Sequence, residues 1–293
     1  MNKEDSSTSL VFLTFISILF FALNSILCKM ALVSNAIDPY SFTFFRLFSA
    51  MITLLLIYSF KHKKLFFNTK KNWLSAFMLF LYAIGFSYAY VNIEAGFGTL
   101  LLFGVVQVVM ILGSLFHKEK INASVIFGIV LSIGGLVYLV YPKESFEVSL
   151  LNSFFMILAG IAWAMFTLLG KKSLDALTNT TDNFIKATLF ISLFYIFIPL
   201  ESTSLTTNGL LLAIISGSIT SALGYFVWYK VLPQMKVLTA GVIQVFVPIL
   251  AIILSVLFLD ELLSFDLILS SIVIISGIAI TLQSQNRMNK QKV

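Results

Sequence analysis

Ten apolar stretches follow one another along the chain, each closed by a short polar break. They cover residues 9–30, 39–60, 73–93, 96–116, 121–141, 150–170, 183–200, 208–231, 238–259 and 264–284. A helix needs ~20 apolar residues to cross ~30 Å of hydrocarbon. Backbone groups find no water in that layer, so each stretch must satisfy its own hydrogen bonds as a helix. The alternation expected of a membrane barrel is absent, and the apolar runs are too long for tilted strands. The pattern predicts an all-α membrane protein with ten transmembrane helices.

Composition sharpens this reading. Of 293 residues, 59% are hydrophobic, 30 are Phe and only 11% are charged, against about a quarter charged in a soluble domain. The mean hydropathy is +1.00. No polar stretch is long enough to fold alone. Met1–Ser9 is short and polar, carries Glu4 and Asp5, and is followed by no small-residue cleavage site, so the first apolar run reads as a helix. Cys28 is the only cysteine, which leaves no intrachain disulfide. His62 and His117 fall in loops beside lysines, and no metal or other cofactor is expected.

The net charge of +6 becomes informative once its positions are read. With the N-terminus in the cytoplasm, the inside segments hold 15 of the 19 Lys and Arg, among them Lys61, Lys63, Lys64, Lys70, Lys71, Lys118 and Lys120. The outside loops keep Lys143 and carry Asp38, Glu144, Glu147, Glu201, Asp260, Glu261 and Asp266. That asymmetry follows the positive-inside rule with both termini cytoplasmic. The basic charge is a topology signal, so a nucleic-acid partner is not expected. The partners are the lipid bilayer and a small-molecule substrate, the setting is a bacterial-type inner (plasma) membrane, and a homo-oligomer is left open.

The chain also repeats itself. "FHKEK" ends at residue 120 and "FLDEL" at residue 262, each between two apolar runs. At an offset of 142, Phe116 meets Phe258, Glu119 meets Glu261 and Gly135 meets Gly277, while Phe21-Ala22 meets Trp163-Ala164 and Lys29 meets Lys171. At 140, Arg46 meets Lys186, and at 139 "GFSYAY" meets "GYFVWY". The expected units are 9–141 and 150–284, five helices each. Five is odd, so the second unit enters from the opposite side. This is an inverted-topology repeat, the arrangement that can open a midplane site first to one side and then to the other.

"FALNSILCKMAL…DPYSFTFFR", "LFHKEKINASVIFGIVLSIGGLVYL" and "LFLDELLSFDLILSSIVIISGIAI" resemble the EamA-type domain of the drug/metabolite transporter superfamily. The resemblance covers about residues 10–284. It implies ten helices, a central cavity lined by the first, third, fourth, sixth, eighth and ninth, peripheral fifth and tenth helices, and export of amino acids or other metabolites. Two departures stand out. Phe21-Ala22 replaces the usual aromatic-Gly, and the fourth helix has Val106-Gln107 where the ninth has Pro248.

Candidate contacts follow from polar and aromatic groups inside the spans. Asn24, Gln107 and Gln244 lie in the first, fourth and ninth helices, and each could hydrogen-bond a neighbouring helix or a solute. In the third helix Tyr82, Gly85, Ala89 and Asn92 form one stripe, mirrored by Ser221, Gly224 and Trp228 in the eighth. Trp163 adds to an aromatic wall, whereas Tyr88, Tyr90 and Tyr225 are as easily an interfacial belt. Arg46 is either a carboxylate anchor or a snorkelling residue paired with Asp38 or Glu94. Lys186, near the start of the seventh span, is expected to snorkel. Pro248 is a candidate gate or hinge. Ser124, Gly128 and Ser132 read as a close-packing row. The first helix has no acid, so a proton-coupling carboxylate there is excluded, which favours a facilitator or exchanger. No HExxH, GxSxG or Walker loop is present, so the chain is not expected to be an enzyme. The reading is a secondary-type carrier exporting amino acids or related compounds by alternating access. The alternative is a lipid or hydrophobic-drug carrier of the same fold.

Overall fold

The computed structural model describes residues 3–64, 66, 71–116, 122–140, 149–194 and 204–290. His117, Glu119 and Lys292, and the loop charges Lys70, Lys118, Lys120, Lys143, Glu144, Glu147 and Glu201, lie outside the described residues. What is described is helical throughout, apart from one isolated antiparallel bridge between Ile37 and Leu205. The helices are α1 (Lys3–Val33), α2 (Pro39–His62), α3 (Trp73–Ala89), α4 (Ala95–Phe116), α5 (Ala123–Val140), α6 (Leu150–Gly170) and α7 (Ala176–Phe194). A continuous rod follows: α8 (Thr207–Ile215), a π-helical segment (Ser216–Leu223) and α9 (Gly224–Val231). Then come α10 (Val237–Gln244), α11 (Phe246–Leu259) and α12 (Phe265–Lys290). Among the described residues six helical stretches are long and apolar enough to cross a membrane.

The boundaries have local causes. Asp38 precedes Pro39 and accepts from the Ser41 N–H at 2.9 Å, an N-cap followed by proline at the first helical position. Lys63 turns left-handed (φ 51°) and its N–H closes back on the Ser59 carbonyl. His62 is therefore the last residue of α2, stacked on Tyr58, and not part of a loop.

Three spans differ from expectation. α7 starts at Ala176, not 183, because "ALTNTTD" is too polar to register as a span yet meets its helical bonds locally. Asp175 accepts from the Leu177 and Thr178 N–H groups, each at 3.1 Å. Burial raises the Asp175 carboxyl, but the hydrogen bonds from Thr178 and Leu177 outweigh it and hold it below its ordinary value. Lys186 therefore lies well inside α7. It is fully buried, donates to Asp182 at 2.6 Å and to the Lys71 carbonyl, and does not snorkel. The eighth span carries a π-helical stretch that hydropathy cannot foresee. The ninth is interrupted between Gln244 and Phe246. Pro248 has no N–H to give the Gln244 carbonyl, and the helix breaks there. α4, its counterpart in the first half, runs unbroken.

The contacts between helices come in matched pairs. α3 packs on α6 as the α8–α9 rod packs on α1, and α4 packs on α6 as α11 packs on α1. α3 meets α7 as the π-helical segment meets α2. α5 lies against α12 at the periphery, where Gly128 and Gly277 meet. A methyl on Gly128 would stand 2.5 Å from the Gly277 carbonyl oxygen, and one on Gly277 would stand 2.6 Å from that of Gly128. Ser132 shares this seam, donating to the Gly128 carbonyl, but Ser124 is exposed and takes no part.

Lys61, Lys71, Lys171, Lys172, Lys230 and Lys236 gather at one end of the bundle, the basic end. Asp38, Glu94, Glu261 and Asp266 gather at the other, the acidic end.

Candidate functional site

Arg46 stands at the centre of the bundle with 0% exposure. Gly217 makes room for this arrangement. A methyl there would fall 2.2 Å from the Arg46 carbonyl oxygen, so the π-helical segment rests directly on the α2 backbone. The guanidinium then reaches across the bundle. Nε donates to Ser221 Oγ at 3.1 Å and Nη2 to the Tyr225 hydroxyl at 3.0 Å. Its carbon lies 5.4 Å from the Tyr82 ring centroid and 5.2 Å from that of Phe86. Aromatic faces and hydroxyls moderate a buried cation without neutralising it. Arg46 is paired with neither Asp38 nor Glu94. Asp38 instead caps α2 and accepts from the Ser204 N–H at 3.1 Å.

The other candidates surround this group to different degrees. Tyr82 lies 4.9 Å from Trp163, ring to ring, and Phe21 sits at 5.0 Å from Trp163, 5.6 Å from Tyr225 and 5.7 Å from Trp228. The Trp163 indole N–H donates to Gln244 Oε1 at 2.6 Å. Gln244 ends α10 just before the break, so the interrupted helix presents its side chain to the aromatic wall. Asn24 is turned aside. Its Oδ1 accepts from Ser216 at 2.7 Å and Thr220 at 3.2 Å, tying α1 to the π-helical segment. Gln107 donates to the Gly241 carbonyl, which joins α4 to α10. Asn92 is exposed and bonds Asn152 at the acidic end, so the α3 stripe stops short of it. Gly85 lies against the Phe155 carbonyl, where a methyl would stand at 3.0 Å, and so serves α3–α6 packing.

Two buried donors in this cluster have no acceptor: Arg46 Nη1 and Trp228 Nε1. Native interiors rarely leave such groups unpaired, because each costs about 1–3 kcal/mol, more when charged. Ser221 and Tyr225, the two groups that fix Arg46, were not singled out as solute contacts by sequence. Ser221 entered as a small residue of the stripe, and Tyr225 as an aromatic equally suited to the site or to an interfacial belt. A π-helical segment adjoining a buried arginine is itself a common functional signature.

The acidic end is closed by the repeated glutamate. Glu261 accepts from the Ala95 N–H at 2.5 Å and the Gly96 N–H at 3.0 Å, so a carboxylate from the second half caps the first turn of α4 in the first. Lys29 donates to the Tyr90 carbonyl at 3.1 Å nearby. Burial first, and the Glu261 carboxylate second, push the Glu94 carboxyl above the ordinary value of 4.5, against the pull of Lys29. A carboxyl that holds its proton more tightly when folded weakens the fold above its raised pKa and ceases to do so below 4.5. Stability should therefore rise as pH falls from neutral toward 4.5. The half-exposure of Glu94 limits the effect to below about 1 kcal/mol. Thermal unfolding across that window should show the rise, and Glu94→Gln should flatten it. An unchanged slope in Glu94→Gln would assign the effect elsewhere.

Helices of this length and apolarity, with polar side chains gathered inside, define a multi-pass membrane protein. The EamA-like transporter family matches residues 8–141 and again 150–283. The chain therefore belongs to the EamA-like transporter family and is a membrane transporter of small molecules. It is 38% identical over 270 residues to an uncharacterized protein of Pseudomonas aeruginosa, covering 92% of this chain and 93% of that one. An uncharacterized transporter of Bacillus subtilis is 24% identical over 255 residues, 83% of this chain and 86% of that one. A crystal structure with 14% identity matches 95% of this chain and 97% of its own at a TM-score of 0.69, a likeness of fold alone.

Proposed function

We propose that this transporter exports small organic metabolites bearing a carboxylate, amino acids foremost, by alternating access around Arg46. The observation that carries the reading is the pair of unsatisfied buried donors, Arg46 Nη1 and Trp228 Nε1. Neither has a carboxylate partner, and an anionic acceptor on a solute would satisfy the buried Arg46 Nη1. Arg suits a carboxylate because its donors form a planar fork. Tyr82, Trp163 and Trp228 then form the apolar wall, with Gln244 fixing Trp163. Asn24 and Gln107 act through the helices they join, and Pro248 supplies the hinge at the α10–α11 break.

The same proposal includes ten spans in two inverted units, 9–141 and 150–284. Both termini lie in the cytoplasm of a bacterial-type inner membrane, the basic end facing inward. Among the described residues no deep solitary carboxylate is placed for proton coupling. Asp182 is buried, but its charge is balanced by Lys186, and exchange or facilitated export fits that arrangement.

The test is counterflow in proteoliposomes with labelled Phe, Tyr, Trp, Met and Thr. Exchange of at least one is expected, and Trp163→Ala or Trp228→Ala should reduce it about tenfold or more while folded protein remains in the membrane, in line with loss of a buried aromatic contact. Undiminished exchange in both variants would overturn the site. One observation favours the alternative carrier of lipids or hydrophobic drugs. An apolar groove of about 800 Å3 lies between α1 (Val11, Phe15, Ile18) and α10–α11 (Ile243, Phe246, Leu250), with Lys236 at its edge. Silence across the amino-acid panel would shift the assignment to that groove.

A further inference from the structure

A second polar cavity lies toward the basic end, between α3, α6 and α7. Its volume is about 230 Å3, and Asn72, Ser75, Lys172, Asn179, Asn183 and Tyr229 line it. That is below the ~300–1,000 Å3 typical of drug-sized pockets, so only a small solute fits. Asn183 is 1% exposed, and its Oδ1 accepts no hydrogen bond. Two neighbouring acceptors are engaged. Asn179 Oδ1 takes Asn72 Nδ2 at 3.1 Å, and Asp182, behind it, is held by Asn72 and Lys186. Lys172 stands exposed at the rim. The recess therefore offers one buried acceptor and one exposed cation.

Tyr229 separates this recess from the central cluster. It is one helical turn from Tyr225 on α9. Its hydroxyl donates to the Phe166 carbonyl at 3.0 Å and lies 3.2 Å from Ser75 Oγ. Its ring fills the space over Gly170, where a methyl would stand 2.5 Å from the Tyr229 ring. The far face packs on Phe166 at 4.8 Å, and Phe166 in turn touches Trp163 at 5.6 Å and Tyr225 at 6.2 Å. Thr167 Oγ1, next to Phe166 on α6, is buried and also lacks a partner. A single aromatic side chain, latched at its tip by two oxygens from α3 and α6, thus stands between the recess and the aromatic cluster around Arg46.

We propose that the recess is an outer docking site for the solute on the basic end, and that Tyr229 is the door from it to Arg46. An ammonium or hydroxyl group docks on Asn183 Oδ1, with an anionic group toward Lys172. This rests on the transport reading, since the door leads to the site described there. It adds a waypoint and a recognition element for the solute's donor end. Breaking the bonds to Ser75 and Phe166 frees the Tyr229 ring to swing from Gly170, which opens the recess toward the Arg46 cluster.

The test uses thiol reagents in place of solute. Ser221→Cys in a Cys28→Ala background places one thiol beside Arg46. It is probed in inside-out and right-side-out vesicles with 2-aminoethyl methanethiosulfonate, an ammonium, and with the neutral methyl reagent. Tyr229→Ala should raise labelling from the basic end about tenfold, and Tyr229→Phe, which keeps the ring and loses the latch, by less; unlatching two hydroxyl bonds is of that order. In the Tyr229→Ala background, Asn183→Leu should cut the preference for the ammonium reagent over the neutral one about tenfold, the worth of one charge-assisted hydrogen bond. Asn183→Asp should preserve it. Labelling unchanged by Tyr229→Ala, with the protein folded, would overturn the door. An ammonium preference indifferent to Asn183→Leu would overturn the docking site. Neither reagent is a substrate, so these outcomes are independent of the counterflow result and cannot be confused with its failure.

Discussion

Arg46→Ala should abolish solute exchange, lowering counterflow by a hundredfold or more while the protein stays folded. Two charge-assisted hydrogen bonds to a carboxylate are each worth about 1.5–3 kcal/mol in a dry site, and a hundredfold is about 2.7 kcal/mol. The more telling variant is Arg46→Met. It fills the same slot between Tyr82 and Phe86 and carries no charge. Lost bonds to Ser221 and Tyr225 should cost about 1.5 kcal/mol each. Removing an unneutralised buried cation returns a desolvation cost of several kcal/mol. Arg46→Met should therefore be inactive yet at least as stable as the parent in thermal unfolding. A fall in Tm beyond about 5 °C would mean that Arg46 holds the bundle together and does not await a ligand. Arg46→Lys keeps the charge but loses the fork, and should recover only part of the exchange.

The second large effect lies far from the solute. Gly128→Leu or Gly277→Leu should strip folded protein from the membrane, because each glycine faces the other's backbone carbonyl within 2.6 Å of a would-be methyl. Overpacking a core commonly costs 1–3 kcal/mol, and here α5 and α12 must move apart bodily, so about 3 kcal/mol or more is expected. Gly134, on the same helix, meets nothing within 4 Å. Gly134→Leu should be tolerated within about 0.5 kcal/mol. Yield of monodisperse protein and its melting temperature report both. Equal losses at 128 and 134 would show that the α5–α12 seam is not the sensitive surface.

The helices were legible because lipid admits one solution for a long apolar run. The same rule hid the first two turns of α7, where Thr178, Thr180 and Asp182 look like loop residues. They are helical because Asp175 caps the turn and Lys186 neutralises Asp182. Arg46 was visible as a charge out of place. Its setting was not, because Ser221 and Tyr225 lie 175 and 179 residues away, and nothing local marks the π-helical turn that brings them round. Gln107 and Asn24 read from sequence as cavity polar groups, yet they spend their hydrogen bonds on Gly241, Ser216 and Thr220. An amide in a span declares only that it needs a partner, and a neighbouring helix supplies one as well as a solute does. Glu261 was found as half of a repeated motif. That it caps a helix of the other repeat required the three-dimensional pairing.

The two halves differ in how they are wound. α3 and α4 are uninterrupted, whereas their counterparts hold a π-helical stretch at 216–223 and a break at 245. Two identical inverted copies would make the inward-open and outward-open forms equivalent by a two-fold rotation and equal in energy, each occupied half the time. Confining the irregular turns to one copy lifts that degeneracy. On the proposed cycle, the resting occupancy of the two forms is written in eight residues of loosely wound helix and one proline.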